Sequence, residues 1–231
     1  MFLVSYMHEN NPTWGFYNRK TGKVVPAYLV LGNDTPATLK DFIAEFHEFN
    51  VSNVEIEKVN EGFCIDMVKL LAPIYNPKRN IFCVGKNYSE HIRELDPDER
   101  KKVNDAGYPA FFTKATNTVT GPYDSIPLHE NLTAEVDYEA ELGVIIGKRC
   151  SDIKAENAYD YVFGYTIIND VTARDLQKKH LQWFKGKSLD GFCPMGPWIV
   201  TKDEIEDPMN LNITCRVNGE LRQNSNTCNM I

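Results

Sequence analysis

The most informative stretch of this sequence is Asp137-Tyr-Glu-Ala-Glu-Leu-Gly-Val-Ile-Ile146, in which spaced carboxylates precede an apolar run. The acidic residues stand two apart, and the period of a β-strand points side chains at this spacing to the same face. Three like charges on one strand face repel one another unless the face is fully solvated or a cation lies against it. Two interpretations remain open: an exposed acidic strand, or ligands for a hard divalent cation.

A second predicted strand, at 162–168, ends beside a further carboxylate, Asp170. After it, Thr172-Ala-Arg-Asp175 resembles a capping box at the start of a helix. Strand ends commonly carry ligand groups, although a carboxylate at a helix start is as often a simple cap. If Asp170 met Glu139 and Glu141, the three would suit Mg²⁺ or Mn²⁺ and leave positions for water or a chelating substrate.

A candidate acid–base pair lies in Gly85-Lys-Asn-Tyr-Ser-Glu-His-Ile-Arg-Glu94, which follows a predicted strand at 81–84. In a short helix, His91 and Glu94 would be neighbours on one face. Glu94 could hold the imidazole in one tautomer, so that His91 takes a proton from water or substrate. An incidental pair on a surface helix is the alternative, and these residues taken alone favour it.

The segment Trp183-Phe-Lys-Gly-Lys-Ser-Leu-Asp-Gly-Phe192 supplies a candidate cation. Its Gly-Lys-Ser resembles the end of a phosphate-binding loop, but the earlier glycine of such a loop would fall at position 181, which is leucine. A nucleotide site is therefore excluded. Lys187 could instead lie in a partly apolar pocket and stabilise negative charge on an enolate. An ordinary surface lysine is the alternative, and Lys185 competes for any functional role.

The composition limits the class of protein. With 231 residues and 42% apolar content, the chain can bury one core, or a main core with a small lobe. The 25 basic and 32 acidic residues form no basic stripe, which argues against nucleic acid and favours a small-molecule partner. The N-terminus lacks a signal-peptide pattern, and no apolar run approaches the ~20 residues of a membrane span, so we expect a cytoplasmic protein.

The organisation along the chain predicts a mostly β, α+β protein. Short apolar stretches separated by turns predict a β-rich beginning up to about residue 31. A helix should follow, capped by Thr35 and with Pro36 in its first turn; its apolar stripe comprises Leu39, Phe42, Ile43 and Phe46. Prolines within 71–79 place a boundary there, between a small N-terminal lobe (1–72) and a main domain (73–231).

The main domain should contain mainly strands. Beyond those already named, strands are predicted at 110–112, 139–146, 197–200 and 211–217. The last of them continues through Asn218-Gly219 into Glu220, which indicates a tight hairpin.

Taken together and in this order, four blocks resemble the fumarylacetoacetate hydrolase family over roughly residues 70 to 231. The blocks are Ile81-Phe-Cys-Val-Gly-Lys-Asn-Tyr88 with His91, then residues 138–147, 163–177 and 186–197. Within the family, the sequence is most similar to the subgroup of oxaloacetate decarboxylases and acylpyruvate hydrolases.

The resemblance implies a mixed β-roll main domain with a small N-terminal α+β lobe, and a homodimer. It implies Mg²⁺ or Mn²⁺ held by Glu139, Glu141 and Asp170. It places His91 and Glu94 on a lid over the bound substrate, where exclusion of water would strengthen charge interactions. Contacts to the substrate's anionic and carbonyl groups are then expected from Lys187, Arg174 and Gln177. Family members continue for several tens of residues past Ile231, including a Gly-Thr-Pro segment that helps bind the substrate carboxylate, so we expect this sequence to lack the C-terminal portion of the domain.

The expected reaction is metal-dependent cleavage of a carbon–carbon bond in a small 2-oxo acid, with the cation stabilising the enolate that forms. The subgroup favours decarboxylation of an oxaloacetate-like β-keto acid. Hydrolysis of an acylpyruvate or fumarylacetoacetate, for which His91 would activate water, and isomerisation of 2-hydroxyhepta-2,4-diene-1,7-dioate are alternatives. A non-catalytic binding protein on the same scaffold is the alternative of another class.

Overall fold

The computed structural model describes residues 1–46, 56–88 and 108–231. Its strands, numbered along the chain, are β1 Phe2–His8, β2 Asn11–Asn18, β3 Lys23–Pro26, β4 Phe63–Cys64, β5 Lys69–Leu71, β6 Ile81–Gly85, β7 Ala110–Lys114, β8 Val119–Thr120, β9 Val136–Asp137, β10 Ala140–Ile146, β11 Val162–Asn169, β12 Thr172–Ala173, β13 Cys193–Pro194, β14 Ile199–Thr201, β15 Asn212–Val217 and β16 Glu220–Asn226. The α-helices are α1 Ala27–Leu31, α2 Leu39–Glu45, α3 Arg174–Lys179 and α4 Phe184–Lys187. Within these residues, no helix has the length and apolar character needed to cross a membrane. The predicted fold class, mostly β with short helices, is confirmed.

Eight strands form one antiparallel sheet that joins the beginning of the chain to its later part. The order is β10-β11-β14-β1-β2-β3-β4, and β5 also pairs with β1. One edge of β1 pairs with β2, while its other edge pairs first with β14 and then with β5. The boundary between 1–72 and 73–231 stays a prediction, but this hydrogen-bonded sheet extends across it.

The largest apolar core lies between β2 and α2. The predicted stripe is confirmed, because Leu39, Phe42 and Ile43 are buried, and the rings of Phe42 and Trp14 lie 4.6 Å apart. Each fully buried side chain of this size contributes roughly 1.5–3 kcal/mol, and a two-turn helix depends on such packing. The predicted cap was wrong by one turn. Thr38, in extended conformation, is the residue whose hydroxyl accepts the Asp41 backbone N–H, at 3.2 Å.

The remaining strands form two-stranded units: β6–β7, β8–β13, β9–β12 and β15–β16. The predicted hairpin is confirmed, since Asn218 and Gly219 connect β15 to β16 with φ of 52° and 82°, the left-handed values of a tight two-residue turn. The strand predicted at 197–200 begins only at Ile199. Pro197 has no backbone N–H to give to a neighbouring strand, which accounts for the later start.

The pairing of β10 with β11 brings the candidate ligands together. The start of β10 lies opposite the end of β11, with Ala140 paired to Asn169 and Glu141 to Ile168. Just beyond this pairing, the Asp170 N–H donates to the Glu139 carbonyl at 2.7 Å, and the Asn169 side-chain oxygen accepts the Glu139 N–H at 3.1 Å. Glu139 and Asp170, which are 31 positions apart in the sequence, are thereby joined by a backbone hydrogen bond.

Candidate active site

A cavity of about 850 Å³ opens beside β10 and β11 and contains most of the predicted site residues. Its walls include all the predicted ligands and substrate contacts that the structure describes: Glu139, Glu141, Asp170, Arg174, Gln177 and Lys187. His91 and Glu94, the predicted acid–base pair, lie outside the described residues. The cavity wall also carries apolar groups, among them Phe112, Leu142 and Trp183.

Lys187 lies at the centre of the charged cluster. Its side chain is only 2% exposed, and its ammonium nitrogen lies 2.7 Å from Glu139 Oε2 and 2.8 Å from Asp170 Oδ2. The same nitrogen is 5.0 Å from the centre of the Phe112 ring. Lys185, the competitor named from the sequence, is exposed. A lysine held among carboxylates and an aromatic face is positioned to donate to an anionic ligand in a site largely screened from water.

A second buried cation, Lys114, was missed by the sequence analysis. It ends β7, is fully buried, and donates to Asp170 Oδ1 at 2.6 Å and to the Val171 carbonyl at 3.0 Å. Burial raises the pKa of Asp170, but the charges of Lys114 and Lys187 outweigh burial and hold that pKa below its usual value. The signal was a lysine closing the apolar strand Ala-Phe-Phe-Thr-Lys, of which only 110–112 was predicted.

Arg174 connects two acidic residues at the mouth of the cluster. Its guanidinium lies 2.7 Å from Asp137 Oδ2 and 2.7 Å from Glu139 Oε1, and donates to Gln177 Oε1 at 3.2 Å. Burial lowers the pKa of Arg174, but the Glu139 and Asp137 carboxylates raise it by a larger amount, so the net shift of this pKa is upward. Both predicted substrate contacts, Arg174 and Gln177, therefore lie together at the cavity wall.

The prediction that one strand carries Asp137, Glu139 and Glu141 was wrong in its strand assignment. Asp137 belongs to β9, which pairs with β12, whereas β10 starts only at Ala140. The side chains of all three nevertheless reach the same cavity. The chain changes its hydrogen-bonding partner between β9 and β10. Before the change, the Glu135 carbonyl accepts the Arg174 N–H; after it, the Glu139 carbonyl accepts the Asp170 N–H.

The predicted capping box was also wrong, although a helix does follow. Thr172 lies in β12, and its hydroxyl donates to the Asp170 carbonyl at 2.9 Å instead of capping α3. Asp175 accepts from the Leu176 N–H at 2.8 Å and from the Thr133 hydroxyl. The pairing of β12 with β9 thus takes the threonine that a local pattern assigned to the helix start.

Glu141 differs from the other carboxylates of the cluster. Its carboxylate receives no hydrogen bond within the part of the chain that the structure describes, and burial, followed by repulsion from Glu139 and Asp170, raises its pKa to about 7. Nearby, the buried hydroxyl of Tyr88 has no hydrogen-bond partner among the described residues, and burial and the charge of Glu141 raise the pKa of Tyr88 to about 12. A buried polar group without a partner is costly and rare, and is often found where a ligand binds.

The donor set suits a hard divalent cation. Among residues 1–46, 56–88 and 108–231, no three histidine, cysteine or acidic side chains stand close enough together to form a ready-made metal site. Lys187 lies between Glu139 and Asp170 and forms an ion pair with each of them. The three carboxylates still face one cavity, and burial, followed by repulsion from Glu139 and Asp170, raises the pKa of Glu141. Oxygen ligands with excess negative charge are what Mg²⁺ and Mn²⁺ prefer.

Buried carboxylates and cations at the wall of a cavity, on a β-rich scaffold, define an enzyme site for a small molecule. Comparison with known proteins identifies the class more closely. Residues 80–231 match the family model described as fumarylacetoacetate (FAA) hydrolase C-terminal. The chain belongs to the fumarylacetoacetate hydrolase family, as the sequence motifs predicted.

Individual relatives support the predicted subgroup. The chain is 50% identical over 169 residues to oxaloacetate tautomerase YisK of Bacillus subtilis (strain 168); this match covers 73% of the chain and 55% of the relative, so the chain spans little more than half of that protein. The solved fumarylacetoacetate hydrolase of Exiguobacterium antarcticum is 42% identical, with a TM-score of 0.81 over the whole chain and 76% of that structure. The maleylpyruvate hydrolase of Sphingobium sp. SYK-6, solved with manganese(II) and pyruvate, is 26% identical, with a TM-score of 0.77 over the whole chain and 78% of that structure.

Proposed function

We propose that this protein interconverts the keto and enol forms of oxaloacetate, using a divalent cation held by Glu139, Glu141 and Asp170. The observation that carries the proposal is the position of Lys187, buried between Glu139 and Asp170 at the wall of the cavity. Further support comes from the name of the Bacillus subtilis relative, an oxaloacetate tautomerase. Decarboxylation, which the sequence motifs favour, becomes the second candidate.

The charges of the site match a small dicarboxylate. Arg174 has a planar guanidinium that recognises carboxylates through paired hydrogen bonds, and its present partners, Asp137 and Glu139, are themselves carboxylates. Gln177 lies beside it and can donate through its amide nitrogen. We propose that these two residues orient one carboxylate of the substrate.

In the keto-to-enol direction the reaction removes a proton from C3 of oxaloacetate and leaves negative charge on the C2 oxygen, and the enol forms when that oxygen takes up a proton. Lys187 lies in a site with an aromatic face and little exposure, where a donated hydrogen bond to that oxygen is stronger than in water. The unpartnered Tyr88 hydroxyl supplies a second donor to the substrate. His91, with Glu94 as its partner, stays the predicted proton acceptor.

A cation at the three carboxylates would supply Lewis-acid stabilisation of charge on the keto oxygen. Mg²⁺ and Mn²⁺ both suit oxygen ligands of this kind. The manganese in the maleylpyruvate hydrolase structure supports the choice of metal.

Decarboxylation of oxaloacetate is the second candidate because it leaves the same charge on the same oxygen. It needs no attacking water and no proton acceptor at C3, so the groups around Lys187 would serve it equally. The difference between the candidates lies in which bond to C3 breaks, that to hydrogen or that to the C4 carboxylate.

The test follows three signals with purified protein, Mn²⁺ and an EDTA control: the ultraviolet absorbance of enol-oxaloacetate, the release of pyruvate, and the cleavage of an acylpyruvate. We expect metal-dependent loss of the enol signal without matching pyruvate release, abolished in Glu139→Gln and retained in Glu130→Gln, whose side chain is exposed. Pyruvate formed in step with oxaloacetate loss would establish the decarboxylase instead. Turnover of the acylpyruvate alone would make the protein a hydrolase, and turnover of neither substrate would contradict an enzymatic role for this chain.

We also propose that the protein is a homodimer, on the basis of the family resemblance. Light scattering coupled to size-exclusion chromatography tests this: the mass of two chains of 26.4 kDa is expected, and the mass of one chain contradicts it.

A further inference from the structure

The backbone between the two glutamates of β10 is held by a side chain from a distant hairpin. Gln223, in β16, accepts the Ala140 N–H on its Oε1 at 2.8 Å, and its Nε2 donates to the Ala140 carbonyl at 3.1 Å. One amide side chain thus satisfies both backbone groups of the residue that separates Glu139 from Glu141. A neighbouring strand would supply the same pair of hydrogen bonds.

The location of β10 explains why such bonds are needed. β10 is the end strand of the eight-stranded sheet, so alternate backbone groups along it face away from β11. The backbone groups of Glu139 point toward β11, where the Asn169 side chain accepts its N–H and the Asp170 N–H donates to its carbonyl. The backbone groups of Ala140 point away from β11 and are hydrogen-bonded to the Gln223 side chain. The spacing of the two glutamates therefore depends on bonds from both sides of the strand.

An irregularity in the hairpin directs Gln223 toward this position. The turn pairs Val217 with Glu220 and Arg216 with Leu221, but the next pair is Cys215 with Gln223. Arg222 is therefore an extra residue, a β-bulge of the kind that re-aims side chains beside active sites. Regular pairing would place Gln223 opposite Thr214 and turn its side chain to the other face of the hairpin.

We propose that Gln223 is a positioning residue, which fixes Ala140 so that Glu139 and Glu141 present their carboxylates to one divalent cation. The inference rests on the proposed function, because that function supplies the cation. Gln223 acts on the metal through the backbone of Ala140 and contacts neither substrate nor metal itself.

The test compares Gln223→Met, which removes both hydrogen bonds at nearly constant shape, with Asn224→Ala, a change of an exposed side chain on the next residue of the same strand. Two quantities are measured without substrate: hydrogen exchange of the Ala140 amide in the metal-free protein, and the dissociation constant for Mn²⁺ by titration. In Gln223→Met we expect faster exchange at Ala140 and about tenfold or greater weakening of Mn²⁺ binding, as for other residues that orient metal ligands. Amides elsewhere in β10 and β11 keep wild-type exchange if the sheet is intact, and Asn224→Ala leaves both quantities unchanged.

Three results would overturn the inference. Unchanged exchange at Ala140 in Gln223→Met would show that the bonds do not restrain the strand. Faster exchange with wild-type Mn²⁺ affinity would show that the restraint does not position the carboxylates. Failure of the wild-type protein itself to bind Mn²⁺ would contradict the proposed function, and with it the inference. This outcome is seen in the wild-type protein, whereas the other two are seen only in the variant.

A second pair of variants tests the role of the bulge. Arg222→Ala keeps the extra residue and removes only a side chain that pairs with Glu220 at the surface, so Mn²⁺ affinity should stay at the wild-type value. Deletion of Arg222 removes the bulge and turns Gln223 away from Ala140, so the affinity should fall as in Gln223→Met. Equal affinities for the deletion and Arg222→Ala would contradict the geometry proposed for the hairpin.

Discussion

Two walls of the cavity differ in whether their buried polar groups have partners. On the compensated wall, formed by Glu139, Asp170, Lys114, Lys187 and Arg174, each carboxylate binds at least two cationic groups. On the open wall, formed by Glu141 and Tyr88, the carboxylate and the hydroxyl lack such partners in the part of the chain that the structure describes. The difference indicates that the side chains of the compensated wall hold one another in place, while the open wall carries polar groups whose partners a ligand would supply.

The largest expected effect concerns the stability supplied by the compensated wall. Lys114→Met leaves the buried Asp170 with one cation fewer, and breaking a buried ion pair in this way costs about 3–5 kcal/mol. We expect a decrease of that order in the free energy of unfolding, measured by urea denaturation. Lys69→Met is the matched control, because Lys69 pairs with Asp124 at an exposed position and such pairs contribute at most about 1 kcal/mol.

The double variant Lys114→Met/Asp170→Asn makes the interpretation specific. Without the carboxylate charge, the missing ammonium should matter less, so the double variant should be more stable than the sum of the two single changes predicts. Strict additivity would contradict a direct ion pair between these two side chains.

The next effect concerns catalysis by the same wall. Lys187→Met removes the donor proposed to stabilise the enolate oxygen, and loss of one such donor typically lowers kcat by about 10²–10³-fold. The rate of oxaloacetate tautomerisation at saturating substrate measures this effect. Lys185→Met, at the exposed lysine of the same helix, should retain the wild-type rate; a similar loss in both variants would remove Lys187 from its assigned role.

The open wall should make the stability of the metal-free protein depend on pH. Burial, followed by repulsion from Glu139 and Asp170, raises the pKa of Glu141 to about 7 in the folded chain, against an ordinary value of 4.5. Because the folded state holds this proton more tightly, its stabilising contribution is complete below about pH 4.5 and is lost as the pH rises through about 7, by on the order of 3 kcal/mol. Glu141→Gln should remove this loss, as seen by thermal unfolding at several pH values in EDTA. An unchanged pH profile in the variant would contradict the buried, uncompensated carboxylate.

The smallest expected effect separates ligand binding from stability on the open wall. Tyr88→Phe removes a buried hydroxyl that has no partner in the described ranges of the chain, so the free protein should be as stable as the wild type or slightly more stable. If that hydroxyl donates to the substrate, KM should rise about tenfold, the equivalent of one hydrogen bond. Tyr6→Phe is the matched control, because the Tyr6 hydroxyl is also buried without a partner but lies in an apolar core away from the cavity. A wild-type KM for Tyr88→Phe would exclude the proposed contact.

The sequence predicted those parts of the molecule that depend on local patterns. The helix stripe at Leu39, Phe42 and Ile43, the Asn218-Gly219 turn and the family motifs all rest on residues close together in the chain. Strand periodicity also singled out Glu139 and Glu141. These features follow from the backbone geometry of a few residues and need no knowledge of distant partners.

The parts that the sequence did not predict depend on contacts between distant residues. Lys114 meets Asp170 across 56 positions, and Gln223 meets Ala140 across 83. Thr172 looked like a helix cap until the pairing of β12 with β9 placed it in a strand. The pairing of β1 with β14, in the same sheet as β10 and β11, also joins strands almost 200 positions apart, and no local pattern near either strand indicates it.

The most direct test of the account is a Mn²⁺ titration of oxaloacetate tautomerisation by the wild-type protein and by Glu141→Gln, with Glu130→Gln as the control. The account predicts that Mn²⁺ accelerates the wild-type and control reactions to a saturating rate. In Glu141→Gln it predicts a much higher Mn²⁺ requirement and a lower final rate, because the open wall loses its one carboxylate. An acceleration by Mn²⁺ that is the same in all three proteins would contradict the assignment of these carboxylates to a catalytic metal site.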